Sequence, residues 1–165
     1  MVFLHLEKTM AGVEVEITGL DDVVNRLQKL ANPRRTKSIA RKAARQAMNI
    51  VRDAARNNAK AIDDPETSEK IFKNIKVSAG KTRNPNEIVM RVGVDGGAAM
   101  NKYSDRNALA AKSGGNTTYW RYLELGTSEM PATPFMRPAL ANNIQKVTDK
   151  FAESFSLELD KELLK

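Results

Sequence analysis

One long stretch without helix breakers limits the possible folds of this chain more than any other feature. From Arg34 to about Ala61 the sequence has no Gly or Pro and is rich in Ala, Arg, Lys, Met and Gln, which are strong helix formers. We therefore predict one long helix here. The chain has 165 residues, which is the size of one ordinary domain. The expectation is a single domain over residues 1–165.

Shorter periodic segments lie on both sides of the long helix. Residues 13–18 alternate apolar and polar, which predicts a first strand, and residues 20–31 carry the apolar face of a helix. Ile71 to Ala79 and Glu87 to Val94 read as the two strands of a hairpin. After Pro138 apolar residues recur every three or four positions, as in an amphipathic helix. The predicted class is α+β, with a small antiparallel or mixed β-sheet packed against the long basic helix and the C-terminal amphipathic helix.

The segments between these elements are of three kinds. Residues 1–11 read as a loose N-terminal tail, with an apolar patch too short and too charged for a signal peptide or a membrane span. Residues 95–118 are rich in Gly, Ala, Asn and Ser without a sustained period, which predicts a long mobile loop. Residues 119–125 are aromatic and apolar and end at Gly126, so they predict a short helix or turn.

Positive charge is concentrated on the long helix. The stretch holds nine Lys and Arg against one Asp, whereas the whole chain has a net charge of +7. At 100° per residue the nine fall within an arc of about 160°, opposite Ile39, Ala43, Ala47, Ile50 and Ala54. The basic face can be a solvated surface, a contact for nucleic-acid phosphates, or a docking face for an acidic protein. The candidate contact residues are Arg34, Arg35, Arg41, Arg45, Arg52, Arg56 and Lys60.

Enzymatic readings have little support in the residue inventory. The chain has no Cys, which removes thiol catalysis and zinc-thiolate sites, and its single His5 lies in the predicted tail. An acidic cluster follows the long helix but lacks the spacing of a calcium loop, so a solvated turn is the simpler interpretation. We predict no catalytic residue, no metal and no cofactor. The cluster consists of Asp63, Asp64, Glu66 and Glu69, and a nuclease using the first three of these remains a third alternative.

The most specific motif is the segment 122–140, which reads YLELGTSEMPATPFMRPAL. It resembles the signature of a neck-protein family of long-tailed bacteriophages, the tail-completion proteins similar to the lambda tail protein Z. In that family an aromatic residue, Glu, an apolar residue and Gly-Thr precede a Pro-Ala-x-Pro-Phe-x-x-Pro-Ala stretch that leads into a C-terminal helix. The order of the predicted elements is also similar along most of the chain.

The resemblance implies a structural protein of the phage neck and no catalysis. Such a protein forms a ring, with six subunits expected, at the head-proximal end of the tail, completes the tail and joins it to the head. The implied partners are further copies of the chain, a tail-terminator protein, a head-completion or connector protein, and genomic DNA in the lumen. The implied location is the neck of the virion, and the host cytoplasm during assembly, without a membrane. The alternative is a sequence-nonspecific nucleic-acid-binding protein that uses the basic helix 34–60.

The signature itself predicts a rigid arm. Gly126 can make a turn that other residues cannot, and the prolines stiffen the connection. Phe135 and Met136 can be apolar anchors, either in their own domain or in a neighbouring subunit. Glu124 has no second catalytic group near it in sequence, so we expect it to form structural hydrogen bonds. The predicted partner or subunit interface consists of Trp120, Tyr122, Glu124, Gly126, Thr127, Pro131, Pro134, Phe135, Met136, Arg137 and Pro138.

Overall fold

A computed structural model describes residues 33–84, 87–97, 100 and 102–163. The predicted tail 1–11, strand 13–18 and helix 20–31 lie outside these residues. The α+β class is confirmed. In chain order the elements are α1 (Pro33–Ile62), α2 (Ile71–Asn74), β1 (Ile75–Ala79), β2 (Met90–Val94), α3 (Arg106–Ala110), α4 (Trp120–Leu125), α5 (Met136–Ala141) and α6 (Ile144–Leu163).

The long helix α1 is confirmed, and a single row of small residues buries it. The row follows every fourth position and comprises Ala43, Ala47, Val51, Ala55 and Ala59. We call it the alanine seam. Because four residues turn an α-helix by about 400°, the seam drifts about 40° per step and winds slantwise around α1. Elements that pack on it therefore cross α1 obliquely, along the ridge that i±4 rows form on a helix surface.

Because the alanine seam winds obliquely around α1, the core is divided into two clusters. At the N-terminal end of the seam, Ala43 packs with Phe155 and Leu159 of α6. Farther along, Val51, Ala55 and Ala59 pack with a larger cluster, which also contains Ile71, Ile75, Val94, Phe135 and Ala139. One helix can thus serve two sets of partners, because its buried row faces different directions at its two ends.

The predicted apolar face of α1 needs a correction in its C-terminal half. Ile50 and Ala54 are only half-buried, and Val51 and Ala55 take the buried positions beside them. An apolar face that runs parallel to the helix axis is expected when the helix packs against one partner along its whole length. The actual partners change from α6 to the sheet, so the buried row turns toward the predicted basic face and brings Arg52 and Arg56 into partly buried positions.

Strands β1 and β2 form an antiparallel pair with one apolar face. The register joins Ile75 to Val94 and Val77 to Val92. Both pairs lie on the same face, with Ile75 and Val94 buried. The intervening pairs carry Lys76 and Arg91 on the opposite, exposed face. This alternation is the signal by which the hairpin was predicted.

The start of the predicted first hairpin strand was wrong by four residues. Residues 71–74 form the helical turn α2, and the strand begins only at Ile75. The Asp63 carboxylate accepts hydrogen bonds from the backbone N–H groups of Ile71 (3.2 Å) and Phe72 (3.4 Å). A remote carboxylate thereby satisfies N–H groups at the start of α2, which an isolated four-residue helix could not do.

The stretch 95–118, predicted as an irregular loop, contains one short helix and an anchored end. Asp105 caps α3 by accepting hydrogen bonds from the N–H groups of Asn107 and Ala108. Buried Asn74 donates to Gly115 O (2.9 Å) and Thr117 Oγ1 (2.8 Å) and accepts from Gly114 N–H (2.9 Å). Residues 114–117 are therefore fixed to the α2–β1 junction. Mobility of the remainder stays a prediction.

The C-terminal helical region consists of two helices. Helix α5 ends at Ala141 and α6 begins at Ile144, with Asn142 and Asn143 between them. The Asn143 side chain donates to the carbonyl of Ala139 (2.9 Å), which closes the end of α5. None of the helices in the described part of the chain combines the length and apolar character needed to cross a membrane.

The alanine seam yields a test of the fold. Ala55 is completely buried, and replacing it with Leu forces extra volume between α1 and the larger cluster. We expect Ala55→Leu to lower the free energy of unfolding by about 1–3 kcal/mol, measured by urea denaturation. Ala61→Leu, at an exposed position of the same helix, is the matched control and should leave it nearly unchanged. Equal effects of the two variants would contradict the seam.

Candidate functional site

The signature segment forms an exposed arm between α4 and α5. We define the arm as residues 126–134; each residue from 127 to 134 is exposed. Backbone hydrogen bonds fix its shape. Thr127 N–H donates to Met130 O (2.9 Å), and Thr133 N–H donates to Leu123 O (2.7 Å). The Thr127 hydroxyl also accepts from Met130 N–H (3.0 Å). The arm is therefore solvent-exposed and conformationally restrained at the same time.

Glu124 holds the far end of the arm. Its carboxylate accepts hydrogen bonds from three consecutive backbone N–H groups, those of Phe135 (2.7 Å), Met136 (2.9 Å) and Arg137 (3.0 Å). These groups open α5 and lack partners inside that helix. The Arg137 guanidinium also donates to the carboxylate (3.2 Å) and to the Glu124 carbonyl (2.6 Å). We call this set of contacts the Glu124 clamp; it ties α4 to the first turn of α5 across the arm.

The clamp also sets the ionisation of Glu124. Burial of the side chain, which is 4% exposed, raises the carboxyl pKa. The backbone hydrogen bonds from Met136, Arg137 and Phe135, with the Arg137 side chain, outweigh burial and hold the pKa below its usual value. Glu124 is therefore charged at neutral pH and serves as a helix cap, not as a proton donor. This agrees with the structural role expected from the sequence.

Phe135 lies inside its own chain. It is 0% exposed and belongs to the larger core cluster. Its ring contacts the half-buried Trp120 edge-to-face, with centroids 6.5 Å apart, and its carbonyl accepts from the Asn58 side chain (3.0 Å). The Trp120 indole N–H donates to Gly97 O (2.7 Å). The sequence left open whether Phe135 is buried in its own domain or in a neighbouring subunit. The structure shows Phe135 buried in its own domain.

Gly126 is required by the start of the arm. Its φ of 78° lies in the region that L side chains rarely adopt. A Cβ at this position would stand 2.8 Å from Ala132 N and 3.0 Å from Met130 O, which are both backbone atoms that cannot swing away. The turn and the close approach of the two sides of the arm thus depend on glycine.

The predicted interface residues separate into inner and outer groups. Glu124 and Phe135 are buried, and Trp120, Gly126, Met136 and Pro138 are half-buried. The remaining predicted residues are exposed on the arm or at its base, where a partner could reach them: Tyr122, Thr127, Pro131, Pro134 and Arg137. Leu125, just before the arm, is 64% exposed and was not among the predicted interface residues.

An open apolar groove lies beside α5, and Met136 and Arg137 form part of its lining. It consists of two adjoining cavities of about 360 Å³ and 280 Å³, both lined by Met48 of α1 and Met90 of β2. The apolar face of the C-terminal helices supplies the opposite wall, with Leu140 at one cavity and Phe151 at the other. Only the C-terminal half of that predicted face is buried, whereas Leu140, Ile144 and Phe151 are exposed.

Ion pairs cover part of the basic face of α1. Glu162 of α6 pairs with Arg35 (3.0 Å), and Glu158 pairs with Lys42 (2.6 Å). Arg52 pairs with its neighbour Asp53 (2.8 Å). Such exposed pairs stabilise a fold little, but they neutralise local charge. The seven candidate cations therefore do not form one uniform surface.

The acidic cluster after α1 has structural partners. Asp63 caps α2, and the Asp64 carboxylate accepts from Glu66 N–H (2.9 Å) within the turn. Within the described ranges, no group of three or more His, Cys, Asp or Glu side chains is arranged to hold a metal ion. Over those same residues, every buried side-chain nitrogen and oxygen has a hydrogen-bond partner.

A comparison with known protein families shows the family of this chain. The model of the HK97-gp10-like family, described as "Bacteriophage HK97-gp10, putative tail-component", matches residues 21–126, well over half of the chain. The chain belongs to the HK97-gp10-like family. The match ends at Gly126, so residues 127–134 of the arm and all of α5 lie beyond it, although the resemblance noted in the sequence rested mainly on them. No curated protein and no solved structure gives a significant match.

Membership in the HK97-gp10-like family makes the chain a bacteriophage tail component. A structural protein of the virion tail agrees with the neck-protein resemblance at this level and argues against an enzyme. It also implies contacts with other virion proteins.

Sequence reasoning missed several residues that the structure brings together. Asp105 could have been predicted as the N-cap of α3, because Asp is a favoured residue at that position. Asn74, Lys73 and Ser113 gave no such signal, because their partners are about forty residues away in the chain. Asp63 and Glu124 were noticed as acids, but their targets lie eight to thirteen residues downstream, beyond any local capping motif.

The Glu124 clamp gives a pH-dependent test. Glu124→Gln removes a charged acceptor of three N–H groups, so we expect it to lower the free energy of unfolding at pH 7 by about 1–3 kcal/mol. Because the folded-state pKa is depressed, the advantage of wild type is present above the unfolded pKa near 4.5 and is lost as pH falls through the folded-state pKa. Denaturant titrations from pH 7 to pH 3 measure this difference.

The control is Glu129→Gln, which removes a charge from the exposed arm itself. Its effect should be small at every pH. A difference between wild type and Glu124→Gln that stays constant as the pH falls would show that the carboxylate charge is not what stabilises α5.

Proposed function

We propose that this tail component is a neck protein that forms a ring at the head-proximal end of the tail, completes the tail and joins it to the head. The ring has six subunits, and its neighbours are a tail-terminator protein and a head-completion or connector protein. Family membership and the neck-protein signature in residues 122–140 support this function.

The observation that carries the proposal is the exposed but restrained arm. Eight consecutive exposed residues, 127–134, are held by the Glu124 clamp and by backbone hydrogen bonds. A flexible segment must lose conformational entropy when it binds, whereas a restrained one has already lost it in folding. The arm has the properties of a preformed binding element, with Leu125, Met130 and Pro131 as its apolar surface.

A ring requires each subunit to present two different surfaces. Its contacts are heterologous, so one patch of a subunit meets another patch of the next. Among the described residues, exposed apolar side chains lie both at the arm, with Leu125, and at the groove, with Leu140. We propose that the arm of one subunit occupies the groove of its neighbour, which is a second copy of this chain.

Reconstitution tests the function directly. Tails from a phage mutant lacking this protein should become competent to join heads when the purified chain is added. Light scattering of the chain alone and mixed with these tails measures whether a ring forms. A chain that stays monomeric in both settings and leaves the tails unable to join heads would refute the neck function.

A mixing experiment tests the proposed contact. Leu125→Glu places a charge beside the arm, and Leu140→Glu places one in the groove; both positions are well exposed, so the fold should persist. Each variant alone should fail to form rings, because burying an unpaired carboxylate is costly. In a one-to-one mixture, Leu140→Glu supplies an intact arm and Leu125→Glu supplies an intact groove, so one contact can form between them. The expected product is a heterodimer and nothing larger, measured by sedimentation.

Leu157→Glu is the matched control, because Leu157 is 52% exposed on α6 and lines neither cavity of the groove. It should form rings as wild type does. Formation of rings by either single variant, or a mixture that stays monomeric while wild type forms rings, would assign the contact to other surfaces.

A further inference from the structure

The far end of α1 contributes to a second concave site, separate from the arm and the groove. A cavity of about 320 Å³ is lined by Arg56, Lys60, Phe72, Lys73 and Ser113. Three of these five residues are cations, and they come from α1 and α2. The Lys60 ammonium lies over the Phe72 ring, 5.3 Å from its centroid. We call this site the basic pocket.

The fold holds the walls of the basic pocket in place. Arg56 donates two hydrogen bonds, from Nε (3.0 Å) and Nη2 (2.7 Å), to the carbonyl of Ile75. The Ser113 hydroxyl donates to the Lys73 carbonyl (3.1 Å), which ties the loop to α2. A partly buried guanidinium is thus fixed at the pocket, while Lys60 and Lys73 remain exposed.

The charge of the pocket is not neutralised by the described part of the chain. No carboxylate among those residues forms an ion pair with Arg56, Lys60 or Lys73. Asp95, which follows β2, is already paired with Lys76 (2.6 Å) and Lys112 (3.1 Å). The Asp53 carboxylate interacts electrostatically with Arg56 but is itself paired with Arg52, so the three cations at the cavity keep an excess of positive charge and the site favours an anionic ligand.

We propose that the basic pocket binds a backbone phosphate of DNA. Lysine ammonium groups bind phosphate oxygens as point charges, and a guanidinium fork recognises carboxylate and phosphate alike. In Arg56 the side-on edge of that fork is already occupied by the Ile75 carbonyl. The exposed Lys60 and Lys73 can therefore contact phosphate oxygens while Arg56 stays fixed to the fold.

A row of cations leading away from the pocket supports an extended ligand. Arg41 and Arg45 form no ion pair with described carboxylates, and with Arg56 and Lys60 they fall within an arc of about 100° on α1. From Arg41 to Lys60 the row is about 28 Å long at 1.5 Å per residue. A nucleic-acid backbone carries charge over such a distance, and its contacts with point charges are independent of sequence. This inference does not depend on the ring proposed above.

The test is DNA binding by the full chain and its salt dependence. The double variant Lys60→Ala with Lys73→Ala removes two exposed cations from the pocket. We expect it to weaken binding of a random-sequence duplex by roughly 10- to 100-fold and to reduce the slope of log K against log salt by about 2. Fluorescence anisotropy over a series of salt concentrations measures both. The matched control is Lys81→Ala with Lys146→Ala, which removes the same charge from exposed positions outside the pocket and should change neither value.

Competition separates DNA from an acidic protein as the ligand. Polyglutamate of equal total charge should displace the duplex only weakly, and wild-type thermal stability of the double variant shows that its fold is intact. Three results would overturn the proposal: no DNA binding by wild type at low salt, equal loss in the control variant, or displacement by polyglutamate as effective as by unlabelled DNA. The last of these would assign the pocket to a protein partner.

Discussion

The alanine seam of α1 is the constraint on which the other packing contacts depend. Small side chains let α6, α5, α2 and the sheet approach the helix closely, and the main interelement contacts of the described chain other than the β1–β2 pairing all involve α1. A two-stranded sheet is too small to be stable alone. It persists because its apolar face, with Ile75 and Val94, packs on the second half of the seam. The slant of the seam lets a single helix support two clusters.

Two carboxylates from outside the short helices α2 and α5 accept hydrogen bonds from backbone N–H groups that have no partner within those helices. Helices α2 and α5 have four and six residues, too short for stability by themselves. Asp63 and Glu124 satisfy N–H groups at their starts from positions outside the helices. For α5 this has a consequence beyond stability, because the same three hydrogen bonds restrain the exposed arm. The arm, which we propose as a binding surface, is thereby restrained before any partner arrives.

The parts of the fold that were predictable are those specified by local pattern. The long helix, the hairpin and the helix ending at Gly126 follow from breaker positions and apolar periods of 3.6 and 2. The predicted start of β1 was wrong because residues 71–74 form α2, whose first N–H groups are capped by the distant Asp63. The prediction that Ile50 and Ala54 are buried was wrong because the packing partner of α1 changes along its length. The importance of Glu124 and Gly126 was readable from the signature. The groove and the basic pocket were not, since each combines residues from distant segments.

The geometry of α1 is compatible with both proposed contacts, the apolar contact in the groove and the DNA contact at the basic pocket. Helical positions that line the groove, such as Met48 and Ala55, and those that line the basic pocket, Arg56 and Lys60, are at least about 80° apart around the helix axis. A neighbour seated in the groove would therefore leave the pocket accessible. Glu158 and Glu162 of α6 pair with Lys42 and Arg35, so part of the positive charge of α1 outside the row that leads to the pocket is neutralised.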